Sequence, residues 1–231
     1  MQFSIYRYNP ETDRRPTMQS MSLEDPPPGT MVLGALHQLK AQDETLTYRH
    51  SCQHGVCGSD GLNINGRNRL ACTTPLASLS EPITIRPLPG QPVIRDLVVD
   101  LDNFYRQYRA AEPWLEAGAP PATGERLQSP QDQERLLGLV ECIMCGCCSA
   151  ACPSFWWNPG RFLGPAALLH AARFVEDSRD EATDHRLDTL NDAYRLYRCH
   201  TIMNCAQVCP KGLNPTKAIG TIRARIAREA V

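Results

Sequence analysis

Cys142-x2-Cys145-x2-Cys148-x3-Cys152-Pro153 sets four thiols and a proline at the spacing of a bacterial ferredoxin ligand run. A turn this tight can place three thiolates on the corners of one iron-sulfur cubane. The following backbone carries the fourth away to a neighbouring cluster, so one run predicts another. Residues 199–210 supply it. Cys199, Cys205, Cys209 and Pro210 keep the spacing, and Ile202 stands where the second cysteine would be.

Crossed ligation then divides the thiols. Cys142, Cys145 and Cys148 with Cys209 make a four-thiolate set for a [4Fe-4S] cluster. Cys152, Cys199 and Cys205 make only three, which suits [3Fe-4S]. Isoleucine does not coordinate iron, and its branched side chain fills the vacant corner, so the missing iron follows from the residue type. Cys147 falls outside the register and reads as a small buried hydrophobe. Zinc also takes Cys-x2-Cys pairs, but it favours two separated pairs that close one tetrahedron. An unbroken four-thiol run with a near-copy downstream does not have that form.

A third group lies in the first half. Cys52-x4-Cys57-x2-Asp60, followed by Cys72, has the plant-type [2Fe-2S] spacing with Asp60 in the third place. Gly55, Gly58 and Gly61 let the backbone wrap closely and turn N–H groups toward sulfur. A carboxylate oxygen can ligate Fe(III). The alternative makes Asp60 a solvated turn residue, with water or another side chain completing the iron; the preserved register favours ligation.

Composition narrows the class further. Eleven Cys in 231 residues is far above ordinary usage, but the count is odd and the chain opens without a basic-then-apolar leader. A secreted disulfide framework is therefore not expected, and a reducing compartment is, the bacterial cytoplasm or its membrane face. Lys plus Arg at 24 against 25 Asp plus Glu leaves a net charge of -1, so no global field recruits nucleic acid. Charge or proline interrupts every apolar stretch before the ~18–20 residues a membrane span needs.

The cysteine-free interval, residues 73–141, is rich in proline and holds the expected domain boundary near residue 103, giving domains 1–103 and 104–231. Before it, residues 3–8 and 81–88 read as strands. Residues 30–42 read as a helix capped by Thr30, and residues 62–71 as a hairpin turning at Asn65-Gly66. Residues 93–111 read as one helix-like segment. Beyond it, Ser129-Pro130 starts a helix, and residues 165–177, 184–198 and 215–229 continue in helical period, the last capped by Asn214. The expected fold class is α+β, a small mixed domain followed by an all-helical one.

The runs SCQHGVCGSDGLNINGRNRLACTTP, ECIMCGCCSAACPSFWWNPGRFLGP and RCHTIMNCAQVCPKGLNPTKAIG closely resemble the iron-sulfur subunits of succinate dehydrogenase, respiratory complex II. The resemblance covers nearly the whole chain. It implies an N-terminal β-grasp [2Fe-2S] ferredoxin domain and a C-terminal α-helical ferredoxin domain. It also implies a partner flavoprotein that oxidises succinate on FAD, and one or two hydrophobic membrane-anchor subunits. Electrons would run through [2Fe-2S], [4Fe-4S] and [3Fe-4S] to quinone, with the chain held on the cytoplasmic face of the bacterial inner membrane and bearing no catalytic residue for succinate. Asp60 for Cys is a variant some bacterial members carry, whereas Gln53-His54 departs from the Arg-Glu often found there.

At the quinone end, the resemblance tips Trp157 toward donating a hydrogen bond to the quinone and places Pro153, His200 and Ile202 near the pocket, with Ser154 and Trp156 as secondary candidates. The basic residues Lys211, Lys217, Arg223, Arg225 and Arg228 read equally as a solvated face or as a contact with anchors or anionic headgroups. Fumarate reductase, the same architecture run backward, and a soluble multi-cluster ferredoxin are the rival readings.

Overall fold

Strands β1 (Gln2–Arg7) and β5 (Ile83–Arg86) alternate in burial, with Phe3, Ile5, Ile83 and Ile85 turned inward, and they pair in parallel. The computed structural model describes residues 1–24, 26–122 and 124–229, the last without its side chain. By internal packing the chain forms two units, Met1–Leu101 with Ile143–Ala151, and Asp102–Cys142 with Cys152–Val231.

In the first unit, β2 (Thr17–Ser22), β3 (Gly61–Ile64) and β4 (Arg67–Leu70) complete a five-stranded sheet in the order β2-β1-β5-β3-β4. Helix α1 (Val32–Gln42) contributes Val32, Leu33, Leu36 and Leu39 to the core that this sheet covers. The turn between β3 and β4 has φ of 48° at Asn65 and 79° at Gly66, the two positive values a type I′ hairpin requires. The Asn65 side chain then reaches sideways: its Oδ1 accepts from Thr84 N–H at 2.7 Å, fastening the hairpin to β5.

Thr30 does not cap α1, because its hydroxyl donates to Pro27 O at 2.6 Å and the helix starts one residue later without a side-chain cap. Edge strand β2 went unread, since its Thr-Met-Gln-Ser-Met-Ser sequence has little apolar alternation to signal a strand. Residues 93–111 are not one helical segment. Val93–Arg95 (β6) and Val98–Val99 (β7) pair as an antiparallel ribbon, and helix α2 begins only at Asp102, running to Arg109. Asp96, with φ of 44°, turns the ribbon. Its buried carboxylate accepts from Tyr8 N–H and Thr47 N–H, each at 2.9 Å, and from Arg7 Nε at 3.1 Å.

The second unit is helical: α2, then α3 (Pro130–Arg135), α5 (Pro153–Trp157), α6 (Gly164–Glu176), α7 (Thr183–Leu190), α8 (Asn204–Gln207) and α9 (Pro215–Glu229); α4 (Cys147–Ala150) belongs to the first unit. Ser129 Oγ accepts from Asp132 N–H, and Asn214 Oδ1 accepts from Lys217 N–H, so both expected caps are made. Helices α6 and α9 form the main packed pair, burying Leu168, Leu169, Ala172 and Val175 with Ile219, Ile222 and Ile226. The expected helix 184–198 ends at Leu190. Asp192 Oδ1 accepts from Tyr194 and Arg195 N–H at 2.8 and 2.9 Å, drawing the backbone into a local turn. No helix among the described residues is long and apolar enough to cross a membrane.

Candidate iron-sulfur sites

The loop before β3 holds Cys52, Cys57 and Asp60, and Cys72 follows β4 in a short helical turn. Gly55 and Gly58 take φ of 76° and 69°, which curls the backbone so that Val56 and Cys57 N–H donate to Cys52 Sγ at 3.4 and 3.3 Å. Backbone donors, His54 first and Val56 next, hold the Cys52 thiol down at about 6, so it favours the thiolate that iron needs. Cys72 behaves oppositely. Burial, followed by the Asp60 carboxylate beside it, pushes its thiol up to about 12. Asp60 is itself only 3% exposed. Its Oδ2 accepts from Cys72 N–H at 2.6 Å, while Oδ1 is buried without a hydrogen-bond partner among the described residues. A carboxylate oxygen in that state costs roughly 1–3 kcal/mol unless something satisfies it, and an iron ion would do so. Cys52, Cys57, Cys72 and Asp60 therefore fit a [2Fe-2S] cluster, and Asp60 is buried rather than solvated.

Gly58 and Gly61 have a second duty that the spacing did not reveal. A Cβ on Gly58 would lie 2.4 Å from Ile143 O, and one on Gly61 would lie 2.9 Å from Cys145 O. Asn68 Nδ2 adds a bond to Cys147 O at 3.1 Å. The stretch carrying Cys145 and Cys148 is thus laid against the cluster loop and β4 inside the first unit. Cys147 is fully buried there, as expected of a thiol outside the register.

In the second unit, Cys152, Cys199 and Cys205 line one small space that opens to solvent, together with Pro153, Ser154, His200, Ile202 and Thr216. Burial raises the Cys152 and Cys205 thiols; Cys205 and Cys199 raise Cys152 further, and Cys199 raises Cys205. Phe155 and Ser154 N–H, at the start of α5, work against that rise at Cys152. Ile202 lines the same space as the trio and is 46% exposed. Trp157 is not among the lining residues; its side chain is 74% exposed at the end of α5. Cys142 and Cys209 pack against the helical core.

Arg223 was read as part of a basic face, but its guanidinium donates to Cys199 O at 2.8 Å and Leu196 O at 3.2 Å, bracing the ligand loop from α9. Arg225 is likewise engaged, with Glu176 at 3.2 Å. Spacing carries no signal for such braces, because a long side chain reaches its target through the fold alone. Among the described residues no three His, Cys, Asp or Glu side chains converge on a single metal-ion position. The ligands of a cluster are distributed over its two to four irons and have no need to meet at one point.

Comparison with known families agrees with this chemistry. A family model described as "2Fe-2S iron-sulfur cluster binding domain" matches residues 2–106, and one described as "4Fe-4S dicluster domain" matches residues 138–213. The chain is 52% identical to the succinate dehydrogenase iron-sulfur subunit of Coxiella burnetii, over 99% of this chain and 98% of that protein. It is 51% identical to the subunit of the same name from Paracoccus denitrificans, over 96% of this chain and 86% of that one. A chain of the Mycobacterium smegmatis Sdh1 complex in the apo form superposes with a TM-score of 0.87 at 27% identity, covering 99% of this chain and 95% of that chain. Both cysteine-rich halves, the mixed sheet, the helical unit and these full-length similarities lead to one assignment: the chain belongs to the family of succinate dehydrogenase iron-sulfur subunits.

Proposed function

We propose that this chain relays electrons from a FAD-bearing flavoprotein subunit, where succinate becomes fumarate, to a quinone held with hydrophobic anchor subunits at the cytoplasmic face of the bacterial inner membrane. Domain 1–103 holds [2Fe-2S] on Cys52, Cys57, Asp60 and Cys72. Domain 104–231 supplies the remaining ligands, Cys142, Cys145, Cys148 and Cys209 for [4Fe-4S] and Cys152, Cys199 and Cys205 for [3Fe-4S]. Bound there, the clusters supply one-electron steps between the two-electron chemistries of succinate and quinone.

The protein's own part is to hold and tune. Backbone N–H groups of the 52–58 loop donate to Cys52 and favour its thiolate. Partial burial of Cys152 and Cys205 raises their thiols. Ile202 denies the third centre a fourth ligand. Pro153, His200 and Ile202 border the quinone, and the Trp157 indole, exposed at the end of α5, offers its N–H to a quinone carbonyl; its exposure leaves that N–H free to meet a partner.

The observation that carries this reading is the position of Ile202 beside Cys152, Cys199 and Cys205. Purification under mild detergent tests it. The chain is expected to come away with a FAD protein and apolar subunits and to pass electrons from succinate to quinone. A chain recovered alone, or with iron but no flavoprotein, contradicts the proposal.

A further inference from the structure

Two hydroxyls face the space between Cys152, Cys199 and Cys205, and neither belongs to a ligand. Thr216, in the first turn of α9, places Oγ1 3.2 Å from Cys205 Sγ. Ser154, in α5, is 2% exposed and lines the same space, and its Oγ is buried with no hydrogen-bond partner among the described residues. The neighbouring polar groups do not satisfy it. Ser154 O is already taken by Asn158, whose backbone N–H and Nδ2 donate to it at 3.2 and 3.1 Å. A buried hydroxyl left unpaired is costly, so a serine at this depth calls for an acceptor from whatever fills the space. An apolar occupant would leave it unsatisfied; a sulfide would accept from it.

We infer that Ser154 and Thr216 are tuning donors to the [3Fe-4S] centre, Thr216 giving its hydroxyl hydrogen bond to the Cys205 thiolate and Ser154 giving its own to an inorganic sulfide, and that together they raise the potential of the centre. This rests on the reading that Cys152, Cys199 and Cys205 hold that centre. Reduction adds one electron to the cluster and increases negative charge on its sulfurs, while each hydroxyl keeps its proton. A donor to sulfur is therefore stronger in the reduced state, and its presence favours reduction. The two hydroxyls come from different helices, α5 and α9, so their contributions are separable by substitution.

The test is a redox titration of the intact complex, following the oxidised [3Fe-4S] EPR signal in Ser154→Ala, Thr216→Val and Thr216→Ser. Ser154→Ala and Thr216→Val should each lower the midpoint, so that the oxidised-to-reduced ratio at fixed potential rises by roughly threefold to tenfold, tenfold being about 59 mV for one electron. Thr216→Ser retains the donor and should sit near the parent value. An unchanged midpoint in Ser154→Ala overturns the inference for Ser154. So does a change confined to the quinone KM, which would give this hydroxyl to the quinone instead. A Ser154→Ala protein that assembles no [3Fe-4S] centre also overturns it, because a tuning donor is not needed to hold iron. Absence of the signal from the unsubstituted complex is a different result: it removes the underlying ligand assignment.

Discussion

Cys72 N–H donates to Asp60 Oδ2 at 2.6 Å, and the other oxygen of that carboxylate is buried with no partner among the described residues. One oxygen is thereby held by the Cys72 backbone, and the second is left for another group to satisfy. This is the division of labour expected of a carboxylate ligand, whose distal oxygen binds metal while the proximal one is held by the protein.

Asp60→Cys should retain the [2Fe-2S] cluster, because a thiolate restores the full plant-type register, and its midpoint should move. Asp60→Ala removes both the iron ligand and the acceptor for Cys72 N–H, a loss of roughly 1–3 kcal/mol in the apoprotein alone. Its [2Fe-2S] signal should weaken or broaden under EPR. Identical spectra and midpoints in both variants would return Asp60 to a structural role.

Gly58→Ala tests the close approach of residues 143–145 to the cluster loop. The new Cβ would meet Ile143 O at 2.4 Å from a residue whose φ is 69°. Left-handed backbone costs a non-glycine residue roughly 1–2 kcal/mol before any clash is counted. Thermal unfolding should fall by several degrees, and the occupancy of both the [2Fe-2S] and [4Fe-4S] centres should drop together. A loss confined to [2Fe-2S] would mean that the strap moves aside without consequence.

This coupling marks the limit of what the sequence makes legible. The Asn65-Gly66 hairpin and the caps at Ser129 and Asn214 are local, written in residues within a few positions of one another, and they read directly. Gly58 against Ile143, Asn68 on Cys147 and Arg223 on Cys199 join residues far apart in the chain, and no spacing rule reports them. The ribbon at residues 93–99 is illegible in sequence for a related reason. Its turn depends on Asp96 collecting donors from residues 7, 8 and 47, a tertiary device that overrides local helical period.

Ile202→Cys should restore the second ferredoxin run and allow a fourth iron to enter. The oxidised [3Fe-4S] signal should diminish, a reduced [4Fe-4S] signal should replace it, and quinone reduction should slow, because an added thiolate lowers the potential of the centre. Persistence of the original signal with no gain in iron would show that residue 202 does not face the vacant corner.

His170 predicts a pH dependence in the helical unit. Burial, with Arg173 adding to it, lowers its pKa to about 4, and its ring sits edge-on to Tyr108 with centroids 5.0 Å apart. The unfolded chain, with His near 6.5, binds more protons than the folded one between those values. Stability is therefore complete above about pH 6.5 and declines as pH falls toward 4, by roughly 3 kcal/mol over the whole window. Melting temperatures between pH 7.5 and 5 should fall more steeply for the parent protein than for His170→Leu. Parallel slopes would show that His170 is protonated at little cost.

The relay itself is tested most directly by potentiometric EPR on the purified complex, combined with iron, acid-labile sulfide and zinc analysis. The account predicts three separable signals, from reduced [2Fe-2S], reduced [4Fe-4S] and oxidised [3Fe-4S]. Iron and sulfide should match those three formulae, and addition of succinate should bleach the [3Fe-4S] signal. Zinc in place of iron at either helical ligand run, or a third centre that succinate leaves oxidised, would contradict it.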